Sequence, residues 1–176
     1  MTLSSVVLSS QLVPAQKSGE FQTKTQGLHS KLASSPLDMN GQTIIPSVTR
    51  LFTQNQTLYV FFQVYYPEKD ELKQAMDGNS LRAGLIFFRN GLQMNATPLL
   101  GPAEVDVKKS VASFRISLPL TKLQGGRYTV QTIVIAPGTQ HAAFNRTYMA
   151  LLSTPPTPAA VPPAPASNEN PKPQTQ

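Results

Sequence analysis

The chain has 176 residues, a net charge of +6 and 40% hydrophobic residues, with no Cys and no Trp. That length suits one domain or one domain plus a tail, and the missing Cys excludes disulfides and thiolate chemistry. The basic residues are scattered along the chain, with only Lys108 and Lys109 adjacent; nucleic-acid binders concentrate such charge on one stripe or arm, so no nucleic-acid partner is expected.

The first stretch, "MTLSSVVLSSQLVPAQ", has a short apolar run ending in Val13-Pro14-Ala15. A secretory signal would carry positive charge ahead of that run, whereas the first Lys is Lys17 and serines interrupt it. A β-strand is the reading preferred, with a signal peptide over residues 1–15 as the open alternative. Asn40-Gly41 between "PLDM" and "QTIIPSVTRLF" suggests a hairpin. Pro46, which cannot donate to a ladder, then belongs at an edge or bulge.

"TLYVFFQVYY" alternates Leu58, Val60, Phe62, Val64 and Tyr66 against Tyr59, Phe61, Gln63 and Tyr65. Apolar residues on both faces describe a central strand. "PEKDELKQAM" (67–76) carries a weak helical pattern, with Pro67 at a plausible first helical position and early acids. Asn90-Gly91 between "LIFFR" and "LQMNA" is the strongest turn signal in the chain. It predicts a two-residue type I′ hairpin, because Asn and Gly tolerate positive φ. Glu104 and Asp106 alternate with Val105 and Val107, as the wet face of a short strand would.

In "SFRISLPLTKLQGGRYTVQTIVI", Phe114, Ile116 and Leu118 alternate up to Pro119, and Tyr128, Val130, Thr132 and Val134 restart the pattern. Between them Leu123, Gly126 and Tyr128 resemble the tyrosine corner of immunoglobulin-like sandwiches, where a Tyr hydroxyl pins the preceding loop. A last strand runs through Phe144 and Tyr148 to Leu151. All thirteen Phe and Tyr lie between Phe21 and Tyr148, while the last 24 residues hold eight of the sixteen prolines. That end cannot bury enough apolar surface to offset its conformational entropy, and is expected to be disordered and partly polyproline II. The expected organisation is a β-sandwich over residues 1–152 and a Pro-rich tail over 153–176. Strands recurring without long helices between them predict an all-β, immunoglobulin-like or fibronectin III-like two-sheet antiparallel sandwich of seven to nine strands.

"LSSVVLS", "GQTIIPSVTRLFTQNQTLYVFFQVYYP" and "FRISLPLTKLQGGRYTVQTIVIAPGTQHAAF" resemble the C-terminal β-domain of acidobacterial VWFA-related (von Willebrand factor A-related) domain proteins, over most of residues 3–151. The resemblance implies an accessory domain of an exported bacterial protein, and hence an extracytoplasmic location, periplasmic or secreted. The family's D-x-S-x-S metal-coordinating motif is absent: Asp77-Gly78-Asn79-Ser80 has the wrong spacing. Its metal-dependent adhesion chemistry therefore cannot be carried onto any residue here.

No stretch nears the ~18–20 apolar residues of a membrane helix, so no membrane insertion is expected. His29 and His141 lack ligand-type neighbours for a zinc site. No G-x-S-x-G occurs, and no lone Ser–His pair is positioned by sequence. Glu68, Asp70, Glu71, Asp77 and Asn79 could offer oxygens to calcium, but Lys69 and Lys73 interleave and would neutralise the cluster. Gly125-Gly126 has no following Lys-Ser/Thr and so makes no phosphate cradle. The sequons at Asn55, Asn95 and Asn145 are read as chance in a Thr- and Asn-rich β-protein.

No enzyme, cofactor or metal is expected. The leading expectation is a non-catalytic protein-interaction domain, contacting a neighbouring domain or another protein. The alternative is a glycan- or peptide-binding sandwich using an exposed aromatic face. Tyr59, Phe61 and Tyr65 are the candidate face, unless the N-terminal segment 10–40 covers them.

Overall fold

A computed structural model describes residues 1–15, 35–39 and 41–153. The expected tail, from residue 154 on, and His29 lie outside the described residues. The strands are β1 (Thr2–Leu3), β2 (Val7–Ser9), β3 (Gln11–Pro14), β4 (Asp38–Met39), β5 (Gln42–Ile45), β6 (Leu51–Thr53), β7 (Thr57–Tyr65), β8 (Arg82–Arg89), β9 (Leu92–Ala96), β10 (Glu104–Asp106), β11 (Val111–Pro119), β12 (Gly126–Ala136) and β13 (His141–Leu152). One α-helix, α1 (Lys69–Met76), lies between β7 and β8.

The strands form two five-stranded sheets and one three-stranded sheet. The first sheet has the order β1–β7–β11–β10, with β2 also pairing with β7. The second runs β6–β13–β12–β8–β9. All pairings are antiparallel except that of β6 with β13, which is parallel. Strand alternation sends Leu58, Val60, Phe62 and Val64 of β7 inward, with Ala112, Phe114 and Ile116 of β11, against Leu85, Phe87, Tyr128, Val130, Met149 and Leu151 of the second sheet. Phe62 and Phe114 are directly opposite in the β7–β11 ladder. Their rings stack with centroids 5.1 Å apart and planes 7° off parallel.

The described strands number thirteen rather than seven to nine, for two local reasons. Between β1 and β2 the Ser4 hydroxyl accepts the Gln63 N–H at 2.8 Å, taking over a role a strand carbonyl would have. The sheet edge is thus split in two. At Ser9, buried within the protein, the hydroxyl accepts the Gln11 N–H at 2.9 Å and donates to the Ile45 carbonyl. There the chain leaves the first sheet and enters the three-stranded sheet β3–β5–β4, which the alternation pattern did not resolve.

Both Asn-Gly signals mark hairpins. Asn90 and Gly91 have φ of 50° and 78°, closing β8 onto β9 between Arg89 and Leu92. Gly41, with φ of 73°, follows Met39 and precedes Gln42, which are paired across β4 and β5. Pro46 directly follows the last residue of β5. The helix starts later than the sequence suggests: Glu68 is its N-cap, so Pro67 precedes the cap instead of occupying the first turn. Leu72 and Ala75 are its buried face.

Tyr66, just beyond β7, is buried and its hydroxyl donates to the Met1 sulfur at 3.3 Å. Burial first, and the nearby Glu71 carboxylate second, disfavour the phenolate and push its pKa from 10.0 up to about 12. The unfolded chain therefore loses this proton first, so folding stability falls as pH rises from 10.0 toward about 12. Alkaline absorbance titration is expected to show a phenolate step near pH 12 that Tyr66→Phe removes. A Tyr66 step at the ordinary value of 10.0 contradicts this assignment.

Candidate interaction face

The second sheet buries one face against the first sheet, and its alternate residues point outward. In β12 the buried positions are Tyr128, Val130, Thr132 and Val134, so Arg127, Thr129, Gln131 and Ile133 face out. In β13 Thr147, Met149 and Leu151 are buried, so Phe144, Arg146 and Tyr148 face out. The ladders place these side chains in rows: Tyr148 beside Thr129 beside Phe88, Arg146 beside Gln131 beside Ile86, and Phe144 beside Ile133 beside Gly84.

Phe144 is 68% exposed and Tyr148 is 67% exposed. Two large aromatic side chains on one strand, left open to water and flanked by Ile133 and Ile86, form an apolar surface of the kind that marks contact sites. Arg146 crosses between them: its Nε donates to Gln131 Oε1 at 2.8 Å, and its guanidinium lies 5.8 Å from the centre of the Phe144 ring. That cation–π contact fixes a charge beside the apolar rows. At the Tyr148 end a cleft of about 590 Å³ opens, lined among others by Arg50, Phe88, Arg127, Thr129 and Tyr148.

The three aromatics expected to form a face do not share one open surface. Phe61 is only 3% exposed, because Ile44 of the three-stranded sheet packs on it together with Val7, Leu12 and Leu37. Tyr59 is half-buried. Tyr65 is 40% exposed, and its hydroxyl donates to Gln63 Oε1 at 2.7 Å. Ile44 of β5, with Val7, Leu12 and Leu37, thus covers Phe61 in the middle of this face; most of the segment 10–40 expected to cover it lies outside the described residues.

The corner residues do come together. Leu123 and Tyr128 are buried, and the Tyr128 hydroxyl donates to the Gln124 carbonyl at 2.7 Å. Gly126 between them has φ of 148°. This arrangement satisfies a buried hydroxyl and ties the start of β12 to the loop before it.

The acidic residues considered for calcium spread along α1 and its flanks. Asp70 is engaged by Lys73 at 3.0 Å, both of them solvent-exposed. Glu71 Oε2 is buried without a hydrogen-bond partner. Among the described residues no group of three or more His, Cys, Asp or Glu is arranged to hold a metal ion. His141 is exposed at the start of β13. Glu104 is exposed on β10. Asp106 accepts the Lys108 and Lys109 backbone N–H groups at 3.0 and 3.1 Å. The backbone hydrogen bond from Lys109 is the main reason its carboxyl titrates below the usual range. Among the described residues no helix is long and apolar enough to cross a membrane.

Phe144 and Tyr148 were visible in the sequence as members of the last strand, but not as outward-facing residues. The signal was present in the alternation with Thr147, Met149 and Leu151. It was ambiguous because both faces of that strand carry apolar residues. Comparisons with protein-family models, with curated proteins and with solved structures found no match to this chain.

Proposed function

We propose that the chain is a non-catalytic protein-interaction domain of the immunoglobulin-like or fibronectin III-like type, which contacts its partner through the outer face of the β8–β12–β13 sheet. The strand orders support the fold type. Taken as A (β1 and β2), A′ (β6), B (β7), C (β8), C′ (β9), D (β10), E (β11), F (β12) and G (β13), the sheets read A–B–E–D and A′–G–F–C–C′, the arrangement of immunoglobulin-like domains. The Tyr128 hydroxyl bond at the start of the F-like strand fits the same type. The resemblance to VWFA-related accessory domains suggests an extracytoplasmic, exported protein as the setting.

The observation that carries the functional reading is the exposure of Phe144 and Tyr148 on one strand. Such side chains contribute most when a partner desolvates them. The test is a photo-crosslinking residue placed at Phe144, with a second at Ser117 on the exposed side of β11 as control. The expected result is a discrete protein adduct from position 144 that is absent from position 117. The same adducts at both positions would remove the support for this face.

A further inference from the structure

We propose that the Pro162–Pro165 segment of this chain docks, within the same molecule, in the cleft between Tyr148 and Phe88. The inference rests on reading the sheet's outer face as a docking surface, and names what occupies one end of it. Tyr148 and Phe88 stand on either side of Thr129, one strand away from each. Two strand spacings separate them by about 9.6 Å. The small Thr129 between two aromatic rings makes a slot with walls and a floor.

A polyproline II chain repeats every three residues, or about 9.3 Å. Pro162-Pro163-Ala164-Pro165 places prolines three apart, in step with that slot. This is the geometry by which aromatic-lined grooves take Pro-rich segments. Polyproline II has no internal hydrogen bonds, so its carbonyls need donors. Arg50, Asn90 and Arg127 line the same cleft and supply them.

The covalent connection favours this occupant. The segment leaves β13 after Leu152, a few residues beyond Tyr148. Returning from Ser153 to Tyr148 covers about 17 Å of strand. Nine residues from Ser153 to Pro162 reach about 28 Å in polyproline II, enough to reverse and come back. The earlier Pro155-x-x-Pro158 repeat starts two residues after Ser153, too few for that reversal. Residues 153–168 carry no charge, so docking desolvates no ion. A tethered segment also meets the cleft at high effective concentration.

The chain has no Cys, so Ala164→Cys in the full chain gives a single site for a nitroxide spin label. In the 15N-labelled protein the amide signals of Phe88, Thr129 and Tyr148 are expected to lose most of their intensity, while those of Tyr59 and Ser117 keep theirs. Adding Tyr148→Ala is expected to restore the lost signals. Attenuation confined to the neighbours of Ser153, or spread evenly over the protein, overturns the proposal. So does attenuation that persists with Tyr148→Ala. A mixture of spin-labelled unenriched chain with 15N chain lacking the label is expected to show no attenuation. Attenuation there assigns the segment to a second copy and overturns docking within one molecule. Position-144 adducts in a chain without attenuation overturn this inference and leave the interaction face standing. Attenuation in a chain that forms no such adducts supports it and removes the other reading.

Discussion

Replacing Phe62 with alanine is expected to lower the stability of the folded domain by about 3–5 kcal/mol, the usual loss for a fully buried Phe. Three features put this position at the top of the range. Its side chain is completely buried, its ring stacks on Phe114 at 5.1 Å, and both sheets contribute to its surroundings. The stacked pair itself adds about 0.5–1.5 kcal/mol beyond the buried area. Domains have only about 5–15 kcal/mol to lose, so Phe62→Ala should lower the melting temperature by about 10 °C or more. Phe144→Ala, on the opposite face of the second sheet, is expected to stay within about 0.5 kcal/mol of the parent, as exposed positions do. Denaturant unfolding of the two variants side by side checks both values. Similar losses at both positions would contradict the division into a packed inner face and an open outer one.

Gly126→Ala is expected to destabilise by about 1–3 kcal/mol, the cost of holding a side chain in a sparsely populated backbone region. Its φ of 148° is one that L residues rarely adopt, and an added Cβ would stand 3.0 Å from Arg89 Nε. Arg89 is held in turn by its hydrogen bond to Gln124 Oε1 at 3.1 Å. Gly125 is constrained by a different cause: a Cβ there would overlap the Ser153 hydroxyl and lie 3.0 Å from the Ser153 backbone nitrogen. The pair of glycines is therefore needed by the corner itself. Tyr128→Phe keeps the buried ring and removes only the bond to Gln124, for an expected loss of about 1 kcal/mol. Unfolding curves should rank Gly126→Ala as the more damaging change. A Gly126→Ala protein as stable as the parent would mean that the corner relaxes and holds nothing in place.

The strands with one wet face and one dry face could be read from the sequence because period-2 alternation maps directly onto burial. The Asn90-Gly91 hairpin was legible for a related reason: positive φ at two consecutive positions selects those residues. The Tyr128 corner was legible because Leu, Gly and Tyr occur there at a characteristic spacing. β7 marks where such reading stops. Both its faces are apolar, and only the three-dimensional path of residues 35–45 brings Ile44 onto Phe61. Local pattern carries no information on which distant segment covers a face. The last strand posed the converse problem. Phe144 and Tyr148 were read only as members of that strand; their exposure, 68% and 67%, follows from Thr147, Met149 and Leu151 taking its buried positions. Pro67 was misplaced by two positions at the helix start, since Glu68 is extended as the N-cap and the first helical residue is Lys69.

Apart from the cleft at its Tyr148 end, the outer face of the β8–β12–β13 sheet is open around Phe144 in the free chain. The chain contains no Trp, so Phe144→Trp introduces a single tryptophan reporter on that face, in the row farthest from the cleft. Acrylamide quenching of this variant, at concentrations low enough to keep the chain monomeric, reads that exposure. An emission spectrum like that of tryptophan in water, with strong quenching, is the predicted result. A blue-shifted emission that acrylamide barely touches would mean that another part of the chain covers Phe144, and the interaction face would have to be sought elsewhere.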